Sequence, residues 1–307
     1  MAVARGVSRP AMTHRTTWKL IAYCATLLLA TTVRAQAAAG GTLLIVGGGP
    51  QPPALVEEFV RLAGGRGAAR IAVFAMASSD GLASGEAKAG DLRALGAIAT
   101  NIWLTHAQAA TDSAARLLDG VTGIWFGGGD QVRLANVLRD TPTLRAIQAR
   151  FAAGAVVGGT SAGAAVLSTP MITGDERQPG GPRPPGDSTE HWLTIARHDV
   201  ITEPGFDFVR NAIVDQHFVR RRRHNRLLSL VLESRQKLGV GIDESTALRI
   251  GPDGVWHVLG ASVAVIYDAR TARITGDSAT LGASRIVMHV LPAGSRFDPR
   301  TGAAVLP

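Results

Sequence analysis

The chain reads as an α/β protein, with a parallel sheet covered by helices on both faces. Three observations predict this. From Gly41 onward, short apolar runs alternate with stretches of helical apolar spacing. The runs are compact and β-branched, as expected of strands buried on both faces. Glycine-rich turns close several of them, where tight functional loops need a small residue.

The elements follow in order. Residues 42–46 form a first strand, closed by Gly47-Gly48-Gly49-Pro50, and 53–63 show helical spacing. Strands are predicted over 70–75, 97–104, 123–126 and 155–158, with helices over 86–95, 107–118, 131–139 and 142–153 between them. Loops that carry function gather at the carboxyl ends of such strands. The glycine loops after Phe126 and after Val157 both fall there. Between Gly174 and Thr189 the composition changes, and Gly180-Gly181-Pro182-Arg183-Pro184-Pro185-Gly186 predicts an exposed irregular loop. Ala212-Ile213-Val214 and Gly239-Val240-Gly241-Ile242 are further strands. The last sixty residues predict short strands with glycine turns, either an extension of the same sheet or a β-rich flap. A single α/β domain over 40–307 accounts for the whole pattern.

The first 35 residues stand apart. They carry Arg5, Arg9, Arg15, Lys19 and Arg34 and no acid, followed inside the segment by an apolar run from Leu20 to Ala30. With Val33-Arg34-Ala35 as a cleavage site, this is the pattern of an export signal, and it places the mature protein in the periplasm or outside the cell. The run is short for a membrane span. An uncleaved N-terminal anchor is the alternative. Cleavage removes Cys24, the single cysteine, and with it disulfide, thiolate-metal and cysteine-nucleophile chemistry. It also removes five of the positive charges, so the formal balance falls from +8 to +3. Nucleic acid is not an expected partner, because the dense basic run left, Arg220 to Arg223, has no stripe or aromatic platform around it.

Gly159-Thr160-Ser161-Ala162-Gly163 lies between a predicted strand and a helix-like run, the setting in which G-x-S-x-G presents a serine nucleophile. The amide of Ala162 is then a candidate oxyanion donor. Read blandly, Ser161 only caps a helix. His217, at the end of the strand-like run 212–214, is the candidate base on the same sheet edge. Asp243 and Glu244, at the end of the strand 239–242, are both candidates to orient it. Strand alternation aims them at opposite faces, and spacing does not choose between them. The order serine, histidine, acid differs from that of standard α/β-hydrolases. Gly47-Gly48-Gly49-Pro50 lacks the dinucleotide-binding spacing, no phosphate-loop lysine is present, and no H-E-x-x-H metal motif appears. No cofactor or metal is implied.

Taken together, Gly128-Gly129-Asp130-Gln131, Gly159-Thr160-Ser161-Ala162-Gly163-Ala164, Asp215-Gln216-His217-Phe218 and Gly241-Ile242-Asp243-Glu244-Ser245-Thr246-Ala247-Leu248 resemble the cyanophycinase branch of the dipeptidase-E-like (S51) peptidases, from about Gly40 to Asp268. The resemblance implies a flavodoxin-like sheet similar to class I glutamine amidotransferases. It implies Ser161 as nucleophile, His217 as base and Glu244 as the orienting acid. It also implies oxyanion donors at Ala162, Gly128 and Gly129, and substrate contacts at Gln131, Thr160, Asp215, Gln216, Arg223 and Arg226. Arg221 belongs to the same basic pattern. Arginine forks suit a substrate carboxylate. The implied reaction is hydrolysis of a β-aspartyl (isopeptide) substrate, cyanophycin, a poly-aspartate backbone with arginine on each side-chain carboxyl, with β-Asp-Arg as the product. Cleavage of α-aspartyl or isoaspartyl dipeptides and a silent exported binding protein are the alternatives. The proline-rich segment 178–186 bears on which substrates enter, and an exposed sheet edge leaves a homodimer open.

Overall fold

The structure is a computed structural model that describes residues 40–176, 195–234 and 238–307. The export segment 1–35 and the loop 178–186 lie outside the described residues. Strands and helices are numbered in chain order. The first half alternates as β1 (Leu43–Val46), α1 (Pro53–Leu62), β2 (Arg70–Phe74), α2 (Gly81–Ala94), β3 (Ile98–Asn101), α3 (His106–Ala109), α4 (Asp112–Arg116), β4 (Gly123–Phe126), α5 (Gln131–Leu138), α6 (Pro142–Ala152), β5 (Val156–Thr160) and α7 (Ala162–Ala165). The second half is mostly strand: β6 (Met171–Glu176), β7 (Val200–Glu203), β8 (Ile213–Gln216), α8 (His224–Glu233), β9 (Leu238–Ile242), β10 (Thr246–Ile250), β11 (Trp256–Gly260) and β12 (Val263–Asp268). Five short strands complete it: β13 (Arg273–Ile274), β14 (Ala283–Ser284), β15 (Val287–Pro292), β16 (Arg296–Asp298) and β17 (Ala303–Val305).

Nine strands form the main sheet in the order β17-β16-β11-β10-β1-β5-β4-β2-β3. Its β1-β5-β4-β2-β3 half is parallel, and β10 turns antiparallel against β1. Helices α1 and α2 cover one face through Leu55, Phe59, Val60, Ala89 and Leu92, with Trp125 set edge-on against Phe59. On the other face Leu134, Leu138, Leu144 and Ile147 bury Phe74, Phe126 and Val157. Strands β1 and β4 are apolar and buried throughout because both faces are covered.

Several elements differ from the pattern read in the sequence, among them β3, which is confined to Ile98–Asn101 of the expected 97–104. Helix α2 begins at Gly81, five residues earlier than expected, because the Asp80 carboxylate accepts the Ala83 N–H and caps it. The single helix expected over 107–118 is two. Thr105 with Gln108 forms a capping box for α3, and Thr111 interrupts the run to cap α4.

Most of the C-terminal strands divide between two sheets, a larger departure, while β13 and β14 pair with each other in a separate ribbon. β10, β11, β16 and β17 extend the main sheet, whereas β12 and β15 join β9 and β8 in a second, four-stranded sheet ordered β15-β12-β9-β8. One face of this second sheet, through Val214, Val240, Ile242, Ala264 and Ile266, shares the core of the main sheet. Helix α8 covers its other face through Leu227, Leu230 and Val231. The active-site elements come from both sheets.

Candidate active site

Ser161 sits at the turn from β5 into α7 with φ 55° and ψ −115°. A non-glycine residue held there costs roughly 1–3 kcal/mol, strain that the surroundings must over-determine. They do so by close approach. A Cβ on Gly163 would stand 2.1 Å from the Phe126 carbonyl oxygen, and one on Gly159 would stand 2.3 Å from the Gly163 carbonyl oxygen. Both flanking glycines of the motif are therefore required by packing. The Ser161 hydroxyl makes no capping bond to α7, so the bland reading of a helix cap does not describe it. It lies 2.9 Å from His217 Nε2 instead.

His217 follows β8, which runs to Gln216, two residues beyond the strand expected from the sequence. It belongs to the second sheet. The expectation that His217 and Ser161 share one sheet edge is thus corrected: they meet across the junction of two sheets. The backbone N–H of His217 donates to the Gly47 carbonyl at 2.6 Å. Its Nδ1 lies 2.6 Å from Glu244 Oε1. Nδ1–H donates to the carboxylate, which leaves Nε2 free to accept the serine hydroxyl. The imidazole is nearly buried and Glu244 partly so, with side-chain exposures of 8% and 27%. Burial pulls the imidazole below its ordinary range. The Glu244 hydrogen bond opposes this, and the Arg221 and Arg223 charges add to it. The net effect favours the neutral ring, the form a base needs.

The two acids that spacing could not separate have different tasks. Asp243 Oδ1 accepts the N–H groups of Val219 and Arg220 at 3.1 and 2.9 Å, and its Oδ2 accepts the Ser262 hydroxyl at 2.8 Å. It braces the loop that follows His217. Glu244 alone of the two reaches the imidazole.

A cavity of about 540 Å³ opens beside Ser161, lined among others by Gly129, Gln131, Gln216, Arg221, Arg223 and Arg226. Thr160 and Asp215 are not part of its lining. Asp215 is 1% exposed and faces inward. It receives a fork from Arg226, Nε at 2.8 Å to Oδ2 and Nη2 at 2.5 Å to Oδ1. This pair ties β8 to the first turn of α8, so Asp215 holds the arginine rather than a ligand. Arg223 Nη1 donates to the Gln216 carbonyl at 2.9 Å. Gln131 donates its amide to the carbonyls of Ile172 and Thr173 at 2.9 and 2.5 Å, which fastens β6 as a wall of the cavity. Thr173 and Gly174 of that wall were not expected from the sequence. The backbone of Gly128 passes beside Ser161, since a Cβ there would be 3.8 Å from Ser161 Oγ. Ala162 is fully buried at the start of α7. Among the described residues no group of three or more His, Cys, Asp or Glu is placed to hold a metal ion, and no helix is long and apolar enough to cross a membrane.

The profile of peptidase family S51 matches residues 43–257. The chain belongs to that family. Within S51, it is 35% identical over 196 residues to a cyanophycinase from Trichormus variabilis, a match covering 62% of this chain and 61% of that protein. It therefore spans about three-fifths of the length of that relative. A cyanophycinase from Synechococcus elongatus is 33% identical over 255 residues, covering 80% of this chain and 74% of the relative. Among solved structures, a peptidase from an acI-B1 Actinobacterium superposes with a TM-score of 0.62 at 22% identity, covering 86% of this chain and 99% of that one. That likeness shows that the two chains share a fold.

Proposed function

We propose that this S51 member is an exported serine peptidase that acts on β-aspartyl substrates through an acyl-enzyme: in cyanophycin, cleavage of the backbone amide between aspartates releases β-Asp-Arg, and in isoaspartyl dipeptides the β-aspartyl bond itself is cleaved. The observation that carries the reading is the relay Ser161 Oγ to His217 Nε2 at 2.9 Å and His217 Nδ1 to Glu244 Oε1 at 2.6 Å. His217 takes the hydroxyl proton as Ser161 Oγ attacks the scissile carbonyl. The oxyanion meets the amides of Ala162 and of the Gly128-Gly129 turn, where each donor is worth about 3 kcal/mol. The leaving amine departs with the proton held by His217. A water molecule, deprotonated in turn by His217, then releases the aspartyl product.

The substrate assignment is supported by the cavity and by the relatives. Arg221, Arg223 and Arg226 border the space beside Ser161, and a positive field there suits an aspartyl carboxylate. The relatives matched over most of their length carry the name cyanophycinase. Export rests on the pattern of the first 35 residues. The test is mature protein incubated with cyanophycin, β-Asp-Arg, isoAsp-Leu and Asp-Leu, with products identified by mass. Ser161→Ala should abolish turnover while leaving the fold intact. Full activity in that variant ends the reading, and cleavage of Asp-Leu alone moves it to an α-aspartyl dipeptidase.

A further inference from the structure

The base and the acid belong to the second sheet and the nucleophile to the first, so some element must hold the two halves in register. The Gly47–Gln51 segment, between β1 and α1, contacts both. Gly47 N–H donates to the Thr246 carbonyl at 2.9 Å, and the Gly47 carbonyl accepts the His217 N–H. The Gly48 carbonyl accepts the Ser245 N–H at 2.9 Å, and the Pro50 carbonyl accepts the Ser245 hydroxyl at 2.7 Å. Ser245 is the residue after Glu244. The backbone is pressed against the functional groups themselves. A Cβ on Gly48 would lie 2.3 Å from both Cε1 and Nε2 of His217, and one on Gly49 would lie 2.8 Å from Glu244 Oε2. Gly48 also has φ +107°, a conformation side chains rarely take.

The outer end of the segment is pinned from α2. Lys88 Nζ donates to Gln51 Oε1 at 2.6 Å and stands 4.6 Å from the centroid of the Trp125 ring. The ring's negative face attracts the cation, more strongly the further it is desolvated. Burial lowers the ammonium to about 8, so it keeps its charge at neutral pH.

We propose that the Gly47–Gln51 segment, with Gly48 against the imidazole and Lys88 as its outer anchor, is the positioning element that holds His217 and Glu244 in line with Ser161 across the two sheets. This rests on the serine-peptidase reading above. Gly48 and Lys88 are positioning residues, since they act through His217 and Glu244.

The test uses Gly48→Ala, Lys88→Met and Lys88→Arg in the full chain. Three readouts are taken: kcat and KM on a β-aspartyl substrate, the labelling rate of Ser161 by a fluorophosphonate, and the downfield proton resonance of the Nδ1–H bond to Glu244. Displacing a catalytic group by about 1 Å costs on the order of 100-fold. Gly48→Ala should therefore lose about that factor in kcat and in labelling, with KM little changed and the resonance lost. Lys88→Met should lose roughly 3- to 10-fold in kcat, the loss of a contact worth about a kilocalorie. Lys88→Arg, which can donate to Gln51 and stack on Trp125, should restore it. If Gly48→Ala does not fold, the two Lys88 variants decide. Wild-type kcat, labelling and resonance in the folded variants overturn the inference. Wild-type protein that neither labels nor cleaves any aspartyl substrate overturns the peptidase reading instead. In that case the resonance still decides the positioning role: loss in the variants upholds it and persistence overturns it.

Discussion

Replacing Glu244 by glutamine keeps the side chain's size and removes its charge. The contact it perturbs is the 2.6 Å bond to His217 Nδ1, made by an imidazole that is 8% exposed. The amide can meet Nδ1 in two ways. With its NH₂ toward the ring, Nδ1 becomes the acceptor and Nε2 carries the proton, so the ring cannot accept from Ser161. With its oxygen toward the ring, the geometry survives but the imidazolium formed during attack has no counter-charge in a nearly dry site. In serine peptidases the equivalent acid-to-amide change costs about 10⁴-fold in kcat. A loss of about 10³- to 10⁴-fold, or roughly 4–5.5 kcal/mol of barrier, is expected here. Glu244 does not line the cavity, so KM should move little. The assay is steady-state turnover of a β-aspartyl substrate, with fluorophosphonate labelling as a substrate-independent check. Asp243→Asn serves as the comparison, because Asp243 holds the backbone after His217 and does not touch the ring. A kcat loss below tenfold in Glu244→Gln, or a larger loss in Asp243→Asn, would refute the assignment of the acid.

Two further outcomes follow from the same geometry. Because burial and the Arg221 and Arg223 charges hold the His217 imidazole below its ordinary 6.5, kcat/KM should be flat at neutral pH. It should fall only as the pH drops through the lowered value. An acid limb centred above 6.5 in a pH–rate profile would contradict this. Asp215→Asn removes the charge that the Arg226 fork meets, in a pair whose side chains are both 1% exposed. Removing one partner of such a pair costs about 3–5 kcal/mol. Denaturant unfolding checks it, and a change below 1 kcal/mol would show that the pair is not the brace described above.

Much of the site was legible in the chain because its chemistry is local. G-x-S-x-G between a strand and a helix needs only neighbouring residues to define a strained turn, and the structure shows the same glycines packed against Phe126 and each other. The parallel strands β1 to β5 were legible for a similar reason, since burial on both faces leaves a continuous apolar run. What the residue pattern left open or misplaced depends on partners far apart in sequence. Asp243 and Glu244 are adjacent and chemically alike, and only the arrival of Val219, Arg220 and Ser262 at one, and of His217 at the other, separates them. Asp215 lies in the motif that contains His217, yet pairing with Arg226, eleven residues later in the first turn of α8, keeps it out of the cavity lining. Gly47-Gly48-Gly49 read as a failed nucleotide loop, while its actual neighbours, His217 and Glu244, lie some 170 to 195 residues on.

By itself, then, the order of residues determined an α/β chain, a serine at a strained turn, and a histidine and a pair of acids at strand ends, because backbone preference and burial pattern act over a few residues. The tertiary structure alone decided that two sheets rather than one supply the three groups; it also places Glu244 on the imidazole and Arg223 and Arg226 beside the cavity, which residue spacing left open and the family resemblance implied. Those outcomes turn on hydrogen bonds and contacts a few ångströms long between distant segments, and no local pattern encodes which distant segment will arrive.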